Sequence, residues 1–167
     1  MGAIGRCEPP SQALLARYGP PKDFVDAYRC DLARTVTQAE YVEQFYRSAA
    51  FRPERLLLGL FGHGAGDTDA AALASGERDQ FAAWRVEARS DDQLLLCDVT
   101  GRTRSWLHCQ PLGEGVTRLY FGSAVVGRAG GDGGPRLGWL FHALLPFHRR
   151  YSQLLLGSAR RRLLRGR

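Results

Sequence analysis

The chain has 167 residues, 44% apolar and 24% charged, proportions of a soluble globular protein with one domain and a substantial core. Its formal charge of +6 is uneven: Arg149–Arg167 holds seven arginines and no acid, and the remainder carries −1. No stretch of 18 uncharged apolar residues is available to span a membrane, and the leading MGAIGRCEPPSQ has no apolar signal core, so a cytoplasmic protein is expected.

Residues 1–22 read as an irregular lead, interrupted by Pro9, Pro10, Gly19, Pro20 and Pro21, with one helical turn over Gln12–Tyr18. A single domain is expected over 23–165. Phe24–Arg34 can be a first strand, with Phe24, Asp26, Tyr28, Cys30 and Leu32 on one face, although neither face is clean. Thr37-Gln-Ala-Glu40 is a capping box: the hydroxyl accepts from the third amide while the glutamate reaches back. Tyr41, Phe45 and Ala49 then share a helix face, Phe51-Arg-Pro53 ends it, and Pro53 suits the first turn of a second helix, Glu54–Leu60.

Gly62-His-Gly64-Ala-Gly66-Asp-Thr-Asp imitates a phosphate loop. A dinucleotide fingerprint follows a strand and a P-loop carries Gly-Lys-Ser/Thr, and neither holds here. The glycines read as a helix stop and a loop, while 67–79 stays open between a short helix and part of a strand.

Four strands follow: Phe81–Arg89, with Ala82, Trp84, Val86 and Ala88 on one face; Gln93–Val99; Arg102–Gln110; and Val116–Val126. Asp91-Asp92, Thr100-Gly101 and Pro111–Gly115 are turns short enough to join antiparallel neighbours, giving a meander. The glycine-rich Gly127–Arg136 leads to the longest apolar-periodic stretch, Leu137–Arg165. Leu140, Leu144, Tyr151 and Leu155 form one stripe, and Phe141, Leu145, His148, Ser152, Leu156, Ala159 and Leu163 the next, so the helix has one broad apolar face. Arg149, Arg150, Gln153 and Arg160 lie opposite. Pro146 should kink or split it near Leu144.

The layout is α+β: an antiparallel sheet with a long amphipathic helix able to cover one face. In this order of elements the chain resembles the START-like, or SRPBCC, helix-grip superfamily. Leu137-Gly-Trp-Leu-Phe-His-Ala-Leu-Leu-Pro-Phe-His-Arg149 is similar to the closing segment of a bacterial domain-of-unknown-function family of that fold, with its LG-L-PFHR signature. The resemblance covers 24–165 and implies an apolar ligand cavity beneath the last helix, without fixed chemistry, since the superfamily includes lipid carriers, hormone receptors and polyketide cyclases. Helix-grip domains usually carry two more strands before the meander. Residues 62–79, rich in glycine and alanine, suit a reduced grip.

The partner expected is a small apolar or aromatic ligand, lined by Trp84, Trp106, Tyr120, Leu144, His148 and Tyr151, aromatics that otherwise simply fill the core. His148, on the apolar helix face, is open between a core histidine, a cavity-lining group and the general base of a cyclase- or dehydratase-like enzyme. As a base it would need Tyr151 one turn away and a carboxylate, Asp98 or Glu114, from the sheet. Cys7, Cys30, Cys97 and Cys109 have no metal-ligand spacing and read as reduced, mostly buried thiols, and no cofactor is expected. No nucleic-acid module accompanies the basic Arg160–Arg167 tail, which is either a solvated helix end or a weak contact for an anionic membrane.

Overall fold

The structure is a computed structural model that describes residues 3–51, 66–127 and 139–165, the last with side chains from 147 onward. The predicted helix Glu54–Leu60, most of the glycine-rich segment 62–66, nearly all of the 127–136 loop and the side chain of Leu144 lie outside the described residues. Among the described residues seven strands form one antiparallel sheet: β1 (Gly5–Cys7), β2 (Asp23–Leu32), β3 (Gln80–Phe81), β4 (Trp84–Arg89), β5 (Gln93–Asp98), β6 (Thr103–Gly113) and β7 (Val116–Val126). Their order is β1-β2-β7-β6-β5-β4-β3. The described α-helices are α1 (Gln38–Tyr46), α2 (Asp67–Ser75) and α3 (Trp139–Arg165), and the architecture is the expected α+β sheet with a C-terminal helix packed on it. Among the described residues no helix is long and apolar enough to cross a membrane.

Turn chemistry makes the meander. Asp98 accepts from the Arg102 and Thr103 amides and from the Thr100 hydroxyl, closing the β5–β6 turn. Glu114 and Gly115 both take positive φ at the β6–β7 turn, the twist that suits a tight hairpin. At the start of α1, Thr37 Oγ1 accepts from the Glu40 amide at 3.1 Å, the first half of the predicted capping box, while the Glu40 carboxylate pairs with Arg34 instead of reaching back to the Thr37 amide. Residues 67–75 resolve as helix rather than strand: Asp69 Oδ2 accepts from the Gly66 amide at 2.7 Å, and Gly76 ends the helix at φ 83.

The structure changes three details of the sequence reading. The predicted strand Phe81–Arg89 is two, because Ala82 adopts φ 51 and breaks the ladder. Its alternation also fails downstream: a bulge between Val86 and Ala88 sends Trp84 and Val86 to one face and Ala88 to the other. The C-terminal helix, expected to kink or split near Leu144, is not split: one helix runs over Trp139–Arg165. A proline removes a single backbone bond, and the C-terminal half of α3 is anchored independently by Leu155, Leu156, Ala159 and Leu163, all buried against α1 and β2. Burying a leucine contributes roughly 1.5–3 kcal/mol, so three together outweigh the roughly 3 kcal/mol penalty of the proline.

Both sheet faces are covered. On the inner face, Tyr28, Cys30, Leu32, Leu94, Leu96, Leu107, Leu119 and Phe121 pack beneath α1, α2 and α3. Its centre is filled by Phe45, Tyr46, Phe51, Phe81 and Phe121, whose neighbouring rings lie 4.8–6.2 Å apart. On the outer face, Ala27, Leu95, Trp106, Tyr120 and Ala124 meet Ala13 and Leu15 from the N-terminal segment. That segment is therefore more than an irregular lead. It contributes β1, paired to β2, and a 3-10 turn at Leu14–Arg17 that roofs the outer face.

Candidate functional site

The sequence placed six side chains in one cavity, and the fold distributes them differently. Trp106 and Tyr120 lie on the outer face, away from α3. There the Trp106 indole N–H donates to Gln93 Oε1 and the Tyr120 hydroxyl to Gln110 Oε1. Trp84 is on the inner face, but β4 is four strands from β2, about 19 Å at 4.8 Å per strand. His148 and Tyr151 remain neighbours on α3. Tyr151 donates to the Ala50 carbonyl at 3.4 Å and stacks on Phe147, so it is not the hydrogen-bond partner of His148.

His148 is instead held by two residues the sequence reading did not select. Ser123 Oγ stands 2.6 Å from Asp26 Oδ1 and 2.8 Å from His148 Nε2. The Tyr28 hydroxyl donates to the other Asp26 oxygen at 3.3 Å. Strand register makes the pairing possible, since Asp26 and Ser123 are direct cross-strand partners of β2 and β7. The carboxylate expected from the sheet is thus Asp26. Asp98 is engaged in its turn and Glu114 sits exposed at a hairpin tip.

Proton counting fixes the direction of this chain. An ionised carboxylate only accepts, and a hydroxyl has one proton to give. Ser123 gives that proton to Asp26, so His148 Nε2 must carry hydrogen and donate to Ser123. In the neutral imidazole, Nδ1 is then the lone-pair nitrogen. Nδ1 has no hydrogen-bond partner among the described residues, and the imidazole is 27% exposed. The arrangement is not a serine nucleophile: Ser123 is buried and its proton points at the acid, not at the imidazole.

Burial raises the Asp26 carboxyl, but the nearby His148 ring and the hydrogen bond from Ser123 outweigh it and hold the group below the ordinary carboxylate range. Burial, followed by the Asp26 charge, pushes the Tyr28 phenol up to about 12, so it remains a donor. The Phe24 ring meets His148 edge-on at 6.4 Å between centroids, and Phe24 pairs with Val125 across β2 and β7. Phe24 and Val125 are only half-buried, unlike the closed aromatic centre of the inner face. Two half-buried apolar side chains thus stand beside an imidazole whose Nδ1 has no hydrogen-bond partner among the described residues.

A second buried imidazole is separate from this site. His108, on β6, has neither ring nitrogen hydrogen-bonded among the described residues and stands 3.9 Å from Asp92 Oδ2. Burial lowers its pKa, against the opposing charge of Asp92. Cys30 and Cys109 are buried, burial pushing their thiols up to about 11 and about 12, whereas Cys7 and Cys97 are half-buried; all four are free.

Asp26 was detectable as the one acid on the strand face that also carries Phe24, Tyr28, Cys30 and Leu32. Ser123 gave no such signal, because a serine in a strand is ordinary until its cross-strand partner is known. No family model, curated protein or solved structure matches this chain.

Proposed function

We propose that the protein holds a small, largely apolar or aromatic molecule at the inner-face end beneath α3, with its single polar group hydrogen-bonded to His148 Nδ1. The observation that carries this reading is the Asp26–Ser123–His148 chain. A buried acid is costly to desolvate unless it is paired and bonded, and this one is spent on orienting a single imidazole. The half-buried Phe24 and Val125 supply apolar area beside it. A ligand with one hydroxyl or amide donor on a hydrophobic body fits that combination.

The same geometry favours a second reading, in which His148 is a general base of a cyclase- or dehydratase-like reaction. A base must present a lone pair to the substrate, and a carboxylate behind it stabilises the imidazolium formed on taking the proton. Asp26, acting through Ser123, occupies that supporting position. Nδ1 would accept the substrate proton, while Asp26 and Ser123 would only position the ring.

Titration with 2-naphthol, an aromatic body with one O–H donor, tests the binding reading by fluorescence. Saturable binding that weakens about tenfold in His148→Phe, the effect of one lost hydrogen bond of about 1.4 kcal/mol, supports it. Absence of saturable binding, together with no co-purifying molecule in native mass spectra of protein from its own host, rejects it.

A further inference from the structure

The outward face of α3 carries a pattern unrelated to the polar chain beneath it. Phe147 is 70% exposed and Leu154 58%, two of the most exposed large apolar side chains among the described residues. Arg150, Arg161 and Arg165 are also exposed, and none has an ion-pair or hydrogen-bond partner among the described residues. At 100° per residue these five positions fall within a sector of about 60°, along roughly 27 Å of helix. Apolar and cationic groups therefore alternate along one ridge, with no acid between residues 149 and 165. Phe147 is braced by Tyr151, its ring parallel within 4° at 6.2 Å between centroids, so the exposed aromatic is held outward rather than folded back.

We propose that this ridge docks the protein on an anionic membrane surface, with Phe147 and Leu154 entering the acyl boundary and Arg150, Arg161 and Arg165 binding lipid phosphates. A helix lying in a bilayer interface needs such a combination: apolar side chains on the membrane side and guanidinium groups at headgroup depth. Charge complementarity selects the partner. The body outside 149–167 is nearly neutral, so attraction to an anionic surface is concentrated on this helix. A nucleic acid would use the arginines but gain nothing from Leu154, which can neither stack on a base nor bind a phosphate. The contact is peripheral, since no helix among the described residues can span the bilayer. It extends beyond the Arg160–Arg167 tail, because its apolar anchors lie about two to four turns before Arg160.

The test is co-sedimentation of the full chain with phosphatidylcholine vesicles, with and without phosphatidylserine. Wild type should bind only the serine-containing vesicles and release as NaCl rises from about 0.1 to about 0.5 M. The triple change Arg150→Gln, Arg161→Gln, Arg165→Gln should weaken binding about a hundredfold, near fivefold per arginine. Phe147→Ser with Leu154→Ser should weaken it about tenfold with all charges intact. Because all five side chains are exposed, circular dichroism and melting of both variants should match wild type, which separates lost docking from lost folding. Lack of serine-dependent binding overturns the proposal. So does binding that survives the Phe147 and Leu154 changes, or duplex DNA binding that depends on the arginines and exceeds vesicle binding.

Discussion

Removing one hydroxyl, in Ser123→Ala, separates Asp26 from His148 without changing a charge. Two hydrogen bonds vanish: one to a carboxylate at 2.6 Å, the other from an imidazole at 2.8 Å. The first is worth about 1.5–3 kcal/mol and the second about 1 kcal/mol. Part is recoverable, because His148 Nε2 lies only 3.6 Å from Asp26 Oδ1 and a ring shift of about 0.7 Å would give a direct bond at normal length. The expected loss is therefore about 2–3 kcal/mol at neutral pH, read from urea unfolding as a lower midpoint with an unchanged slope. Ser105→Ala is the control, since Ser105 is buried directly opposite Ser123 on β6 but outside the chain, and should cost less than about 1 kcal/mol. If the two variants lose the same amount, or Ser123→Ala loses under about 0.5 kcal/mol, Ser123 does not bridge the acid and the imidazole.

Asp26→Asn should destabilise by about 1–3 kcal/mol, because an amide cannot accept from Tyr28 and Ser123 on both of its heavy atoms. It should also change the acid limb of the stability profile. The folded carboxyl is lowered, so its contribution is present above the unfolded value of about 3.9 and lost as pH falls through the folded value. Urea midpoints below pH 4 should fall less steeply in the variant. His108 acts in a higher window: its folded pKa is lowered, so the unfolded chain takes the proton first and stability declines as pH drops below about 6.5. His108→Phe should flatten that decline, and an unchanged profile would show that the ring titrates freely. Gly122→Ala should destabilise by about 1–3 kcal/mol in thermal melts, since its new Cβ would stand 2.6 Å from Leu15 Cδ2 and 2.9 Å from Trp106 Cε3. A neutral result would mean the N-terminal segment does not press on the outer face.

The parts of the fold that depend on local chemistry were legible in the sequence. The N-cap at Thr37, the turn glycines of the meander and the stripe from His148 to Leu163 each specify a local conformation that the tertiary structure keeps. The less legible parts depend on partners remote in sequence. Gly5–Cys7 becomes a strand only because the edge of β2 offers it a ladder. Leu94, Leu95 and Leu96 are all buried, so the β5 pattern could not tell that Trp106 and Tyr120 face the N-terminal segment and not α3. The alternation from Ala82 to Ala88 was real in the letters but broken by a bulge. For the site, periodicity found His148. Asp26 and Ser123 required the β2–β7 register, which brings together residues 97 positions apart.

Everything proposed for the site depends on which nitrogen of His148 carries hydrogen. Long-range proton–nitrogen correlation spectra of the histidine-labelled protein, at a pH where the ring is neutral, report this directly. The Nε2–H form is expected, with Nδ1 at the shift of an unprotonated acceptor. A dominant Nδ1–H form in the unaltered protein would contradict it, because Ser123 would then have to donate to the imidazole and Asp26 would lose its part in orienting the ring.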